Sequence, residues 1–360
     1  MHTLDTPALV KKFDPQNALG SVDLLGAQIE QAWREMKGVS IPASYRSIDT
    51  VVVNGMGGSA LAAHMIQSIF YEELKKPLVI INDYRVPGIV NRNTLYVISS
   101  YSGSTEETVS TFTAAQKRGA KLFGISSGAD VGKLVHSGKM PGYIFNPTAN
   151  PSQSPRIGLG YSLAAHLALL KRLGILTLSD SDVRLVYQHL VLFRKKFGFD
   201  TPFQKNSAKQ LAQQLHGKAV AVVASQHLVG NAHVFANQLN ETSKTFAVHH
   251  PIPELNHHLL EGLRLPVENR IALGFIFLES RLYHPKNQQR YAITQKIVTN
   301  NKVAWERYRL TAPDKLTQAL EALALSSYVT FYLALLNKLN PNLIPYVDFL
   351  KAQLKKTRSV

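Results

Sequence analysis

The sequence predicts an α/β protein: two tandem three-layer αβα units, each on a parallel sheet, with a helical C-terminal segment. Three observations carry this. The 360 residues exceed one ordinary core and suit two units of about 150 residues each. Short β-branched runs alternate with helix-forming stretches from residue 50 to 173, and the alternation returns more weakly from 206 to 278. The remainder reads as mostly helical, over Lys315–Lys338 and Ile344–Leu354. These observations place an N-terminal helical segment at 1–48, a first unit at 49–180 and a second at 200–360.

The elements follow in order. A helix is expected over Ser21–Lys37. Thr50-Val51-Val52-Val53 is β-branched and ends at Asn54-Gly55, the profile of a buried parallel strand. Gly55-Met56-Gly57-Gly58 then leads into a helix from Ser59. Apolar strands are expected at Leu78–Ile81 and Leu95–Ser99, a helix over Ser104–Arg118, and a strand at Lys121–Ile125. Asn146–Arg156 holds three prolines and reads as a loop before a helix at Gly160–Leu173. The second unit repeats the theme: helix Asn206–Leu215, strand Ala219–Ala224, helix Asn231–Asn240, and strands Thr245–Val248 and Ile271–Leu278.

Composition narrows the function classes. The chain is 45% hydrophobic and 18% charged, as expected for a packed soluble protein. It has no cysteine, which excludes disulfides, thiolate metal sites and a cysteine nucleophile, and agrees with a reducing cytoplasm. The N-terminus lacks the apolar stretch of a secretory signal. Ala322–Asn337 is uncharged but shorter than the ~20 residues a bilayer needs, so a buried helix is expected. The net charge of +16 is scattered, with clusters no larger than Arg194-Lys195-Lys196 and Lys355-Lys356…Arg358. No nucleic-acid or membrane partner is expected from so sparse a footprint.

One loop carries chemistry. Ser100-Tyr101-Ser102-Gly103-Ser104-Thr105 falls between a strand and a helix, where backbone N–H groups and the helix dipole favour an anion. Hydroxyls at Ser100, Ser102, Ser104 and Thr105 add donors, and Gly103 permits the turn. The plainer alternative is a capping box, Ser104-Thr105-Glu106-Glu107, in which the helix end satisfies itself. Gly55-x-Gly57-Gly58-Ser59 lacks the GxGxxG spacing of a dinucleotide site.

NGMGGSA at Asn54–Ala60 followed by SSYSGSTEET at Ser99–Thr108 resembles the paired signature of sugar-isomerase (SIS) domains, which have a flavodoxin-like parallel-sheet fold. The resemblance puts Ser59, Ser100, Ser102 and Thr105 on the family's phosphate-binding positions, with Gly57, Gly58, Gly103 and Ser104 in the substrate-binding loops. Over nearly the whole chain the sequence is similar to the bifunctional phosphoglucose/phosphomannose isomerases. That resemblance implies Arg156, in Ser154-Pro155-Arg156, as the cation over the reacting carbons. It implies Glu241, in Asn240-Glu241-Thr242-Ser243-Lys244, as the proton-transfer base. It also implies His257, in Pro253-Glu254-Leu255-Asn256-His257, as the ring-opening group, and Lys351 as a catalytic lysine. The chain departs from the family pattern in two places. NHNE becomes Asn256-His257-His258-Leu259, and a threonine-bearing segment becomes Pro341-Asn342-Leu343-Ile344-Pro345.

The residues fit these roles. Arg156 is a permanently charged guanidinium on a rigid loop. Glu241 at a helix C-terminus sits unfavourably beside the negative dipole end, which argues for another purpose. Asn256 as a helix cap would let the dipole keep His257 neutral. His249, His250 and His258 lack metal-ligand spacing, and no metal or cofactor is expected. The leading expectation is an isomerase acting on a sugar phosphate, as a homodimer whose sites are shared between subunits. A non-catalytic phosphosugar sensor is the alternative, and an aminosugar-phosphate isomerase or synthase domain is third.

Overall fold

The computed structural model describes residues 2–357, so Arg358 of the C-terminal basic cluster lies outside the described residues. Helices α1 (Pro7–Phe13), α2 (Ala18–Asp23) and α3 (Leu25–Met36) open the chain. The single helix expected over Ser21–Lys37 is therefore two helices, joined at Leu24, whose φ of −92° and ψ of 11° leave the helical well. A tertiary tie accounts for the break. The buried Gln28 amide donates to the Ser21 carbonyl, which a continuous helix would have paired with itself, and also to the distant Ala149 and Ile157 carbonyls.

The first sheet comprises β1 (Thr50–Asn54), β2 (Leu78–Ile81), β3 (Thr94–Ser99), β4 (Lys121–Ser126) and β5 (Gly142–Ile144). All its pairings are parallel, in the order β2-β1-β3-β4-β5. Helices α4 (Gly58–Ile69), α5 (Glu106–Ser110), α6 (Phe112–Lys117), α7 (Ala129–His136), α8 (Leu159–Arg172) and α9 (Asp180–Phe197) accompany it. Alternate strand residues feed two cores: Val51, Val53, Leu95 and Val97 face one, Val52, Tyr96 and Ile98 the other. Both faces are thus covered, as a parallel sheet requires.

The helix expected over Ser104–Arg118 breaks at Thr111 into α5 and α6. The Thr111 hydroxyl donates to the Thr108 carbonyl and accepts from the Asn54 side chain, a back-bond that bends helices.

The second sheet, β6 (Ala219–Ser225), β7 (Ala247–Ile252), β8 (Leu273–Glu279) and β9 (Ala304–Arg309), is again all parallel, ordered β7-β6-β8-β9. It carries α10 (Ser207–Leu215), α11 (Val229–Glu241), the single turns α12 (Leu259–Gly262) and α13 (Asn269–Ala272), and α14 (Pro285–Asn300). The predicted strands at Thr245 and Ile271 each start two residues later.

The last helices are α15 (Lys315–Leu336) and α16 (Pro345–Thr357). α15 is long and apolar enough to cross a bilayer, yet 94% of its most apolar window is buried inside the protein. It is the central core helix. In contrast, α16 leaves Tyr346, Val347, Phe349 and Leu350 exposed.

Candidate active site

In the order β2-β1-β3, the strands on either side of β1 are reached in opposite directions. The loops leaving β1 and β3 therefore meet at the switch point where parallel α/β sheets bind ligands. Those are the two loops singled out in the sequence. The Ser59 hydroxyl accepts the Tyr101 N–H at 2.8 Å, and the Ser99 hydroxyl donates to the Ser59 carbonyl at 2.9 Å, which locks the loops together.

Within the second loop the Ser100 and Thr105 hydroxyls lie 2.8 Å apart, Gly103 N–H donates to Ser100 Oγ, and the Ser102 and Ser104 hydroxyls are 3.3 Å apart. Ser100 is fully buried beneath the turn, whereas Ser102 and Ser104 are exposed. Gly103 has φ 76°, and a Cβ there would stand 1.9 Å from the Gly128 carbonyl oxygen, so only glycine fits. The capping box does not form. Thr105, not Ser104, is the N-cap of α5, and it makes no side-chain cap bond. With α5 only five residues long, the helix dipole is weaker than the sequence implied.

The proline loop comes to the same place. Gly57 caps α4, and a Cβ on Gly58 would lie 3.2 Å from the Pro155 carbonyl oxygen and 3.4 Å from Arg156 Cα. The Arg156 side chain is 4% exposed. Its Nε donates to Thr242 Oγ1 at 3.2 Å, its Nη2 to the carbonyls of Pro341 and Asn342, and its Nη1 stands 3.6 Å from Glu241 Oε2. Burial lowers the guanidinium pKa and Glu241 opposes that shift; the group stays charged at neutral pH. Glu241 is the last residue of α11 and is about one-third exposed. A rigid cation and an accessible carboxylate thus extend from the proline loop that packs on the Gly58 loop.

Several residues here were not anticipated. Thr242 and the Pro341 and Asn342 carbonyls aim Arg156, and Asn342 Nδ2 donates to the Ser152 carbonyl at 3.0 Å. Lys244 Nζ donates to the Thr242 and Asn340 carbonyls at 3.1 and 2.9 Å. Its position three residues after Glu241 was the one signal in the sequence.

Two predicted residues stand apart from this cluster. His257 is exposed at the end of a 3-10 turn, Glu254–His257, beyond the C-terminal end of β7. α11 runs back from that end over a length of about 20 Å at 1.5 Å per residue, so Glu241 and His257 lie towards opposite ends of the β7 strand. Asn256 does not cap a helix. The turn starts at Pro253, and the Asn256 amide is engaged instead with Thr294 and Arg290 of α14, so the capping argument for His257 falls. Lys351 is exposed on α16, and no hydrogen bond or ion pair described for the site includes it.

Of the remaining histidines, His249 stacks on His233 at 4.5 Å, and His233 meets His64 edge-on at 4.6 Å. They line a cavity of about 810 Å³ at the far end of α4 and α11 from Glu241. Among the described residues no group of three His, Asp or Glu side chains is arranged to hold a metal.

Residues 204–354 match the family model described as the bacterial phospho-glucose isomerase C-terminal SIS domain. A bifunctional phosphoglucose/phosphomannose isomerase from Caldicellulosiruptor bescii is 30% identical, covering 94% of this chain and 99% of that one. Its counterpart from Aquifex aeolicus is 28% identical over 85% and 90%. Among solved structures, a hypothetical protein from Thermus thermophilus superposes with a TM-score of 0.73 at 15% identity, covering 98% of this chain and 93% of that one. A glucosamine-6-phosphate deaminase from Thermotoga maritima gives 0.63 at 13% identity, covering 91% and 97%. The likeness at that identity is one of fold; together with the sequence relationship, it means that this chain belongs to the bifunctional phosphoglucose/phosphomannose isomerase family, built from SIS domains.

Proposed function

We propose that this protein interconverts glucose 6-phosphate, mannose 6-phosphate or both with fructose 6-phosphate through an enediolate, without a metal. The observation that carries the reading is the Arg156–Glu241 pair beside the Gly58 loop, next to the hydroxyl cluster of Ser100–Thr105. Ser59, Ser100, Ser102 and Thr105 hold the phosphate, with the backbone of Gly57, Gly58, Gly103 and Ser104 around it. The Glu241 carboxylate takes the C2 proton, the C2–H electrons form the C1–C2 double bond as the carbonyl pair moves onto O1, a proton passes from O2 to O1, and the same carboxylic acid returns its proton to C1 as the C2 carbonyl forms. Arg156, buried and fixed by four partners, stabilises the developing oxyanion.

The reading includes a homodimer in the cytoplasm. His257 lies too far from Glu241 to serve the same site within one chain, so it opens the ring in the site of a second copy. The apolar exposed face of α16 fits cover by that copy, which would also bring Lys351 to a site. No nucleic acid or membrane takes part. The test is a coupled assay of purified protein on both hexose phosphates with a chelator present. Turnover with retained C2-proton exchange supports the reading; binding without turnover or exchange would leave a phosphosugar sensor.

A further inference from the structure

The turn that follows Glu241 is held unusually. Lys244 adopts φ 54°, in the left-handed region that suits glycine, and Thr245 N–H closes back onto the Leu239 carbonyl at 3.0 Å. Lys302 and Lys338 adopt the same region beyond α14 and α15, so what sets Lys244 apart is where its side chain goes. The stem of Lys244 is exposed, while its ammonium turns in to the carbonyl oxygens of Thr242 at 3.1 Å, Asn340 at 2.9 Å and Pro341 at 3.5 Å. Pro341 is also a carbonyl acceptor for Arg156. Asn337, just beyond α15, adds a third tie by donating to the Ser243 carbonyl at 2.8 Å.

We propose that Lys244 is a positioning residue: it clamps the Asn340–Asn342 turn to the Glu241-bearing end of α11 and so fixes the direction in which Arg156 points. Arg156 has no acidic partner close enough for a tight bond, since Glu241 stands at 3.6 Å, so its orientation depends on the carbonyls of that turn. Those carbonyls lie more than 180 residues away in sequence and belong to a segment whose neighbouring helix, α16, is exposed. Without Lys244 the turn keeps Arg156 itself, Asn342 to Ser152, and Asn340 to Gln16. The charged groups facing the ammonium are Arg156 and Glu241. Burial, then Arg156, lowers its pKa to about 8 against the opposing pull of Glu241, so the clamp loses its charge as pH rises through that value.

The role in catalysis rests on the isomerase reading above; the clamp itself does not. Lys244→Met and Lys244→Arg are compared with wild type by amide hydrogen exchange and by steady-state kinetics from pH 6.5 to 9.5. In Lys244→Met, exchange over residues 339–343 is expected to rise at least tenfold while residues 100–105 are unchanged. Its kcat is expected to fall tenfold or more with KM for fructose 6-phosphate within threefold. Wild-type kcat should decline as pH rises through about 8, a limb that Lys244→Met lacks and Lys244→Arg moves above pH 9. Wild-type exchange over 339–343 in Lys244→Met overturns the clamp whatever the kinetics. If exchange rises but kcat and the alkaline limb match wild type, the catalytic role is overturned. If wild type turns over neither hexose phosphate, the isomerase reading fails, and the exchange experiment alone decides on the clamp.

Discussion

Glu241 and His257 lie towards opposite ends of the strands of the second sheet, Glu241 at the end of α11 and His257 past the end of β7. If both serve one site, they come from different chains. Inactive Glu241→Gln and His257→Ala proteins, unfolded together and refolded, should therefore recover activity. Half the dimers are mixed and each has one intact site, so recovery should approach roughly a quarter of wild type under two-fold symmetry. Zero recovery, with heterodimers confirmed by native mass spectrometry, would sink the shared site.

Glu241→Gln alone keeps the shape of the α11 end but removes the base. Turnover should fall by about 100-fold or more with substrate affinity little changed, because the lost interaction belongs to the transition state. Undiminished exchange of the C2 proton with solvent would move the base elsewhere.

Arg156→Lys should keep the charge and lose the fork. A single ammonium cannot reproduce the spread donors of the guanidinium, Nε to Thr242 and Nη2 to Pro341 and Asn342, so at least one of these bonds is lost, at about 1–3 kcal/mol. Both kcat and unfolding free energy in urea should drop. A variant as stable as wild type would show that the turn holds itself.

Ser102→Ala with Thr105→Val removes two hydroxyls from the loop after β3. Affinity for fructose 6-phosphate by calorimetry should weaken by about 3–6 kcal/mol if the two bonds act independently. Unchanged affinity in the folded double variant would take the loop out of the site.

Buried histidines set an acid limit on stability. Burial pushes His166 and His227 down to about 4, against opposing bonds to the Ser162 carbonyl and to Gln318. In the unfolded chain each binds a proton near pH 6.5. Stability is therefore full above that value and falls towards pH 4, by about 1.4 kcal/mol per pH unit for each histidine. Urea titrations at pH 7.5, 6 and 5 should show this slope, and His166→Gln should make it shallower. Flat stability across the range would contradict these burials.

The parallel α/β architecture and the two loops of the switch point were legible from residue order alone. Both rest on local rules: β-branched runs such as Thr50–Val53 form strands buried on both faces, and Gly103 allows a φ no other residue tolerates there. Elements with mixed character stayed hidden. β9 is a charged edge strand, Ala304–Arg309, whose identity comes from pairing with β8; α9, in contrast, carries both a Ser179–Asp182 capping box and a buried stripe of Val183, Val186, Leu190, Phe193 and Phe197. Family resemblance supplied Arg156, Glu241 and His257, but their relation was decided by tertiary structure. Backbone carbonyls at Pro341 and Asn342 have no sequence identity to read, yet they aim Arg156. Likewise, the length and direction of α11 separate Glu241 from His257, because a helix that returns along a parallel sheet carries its two ends to opposite ends of the strands.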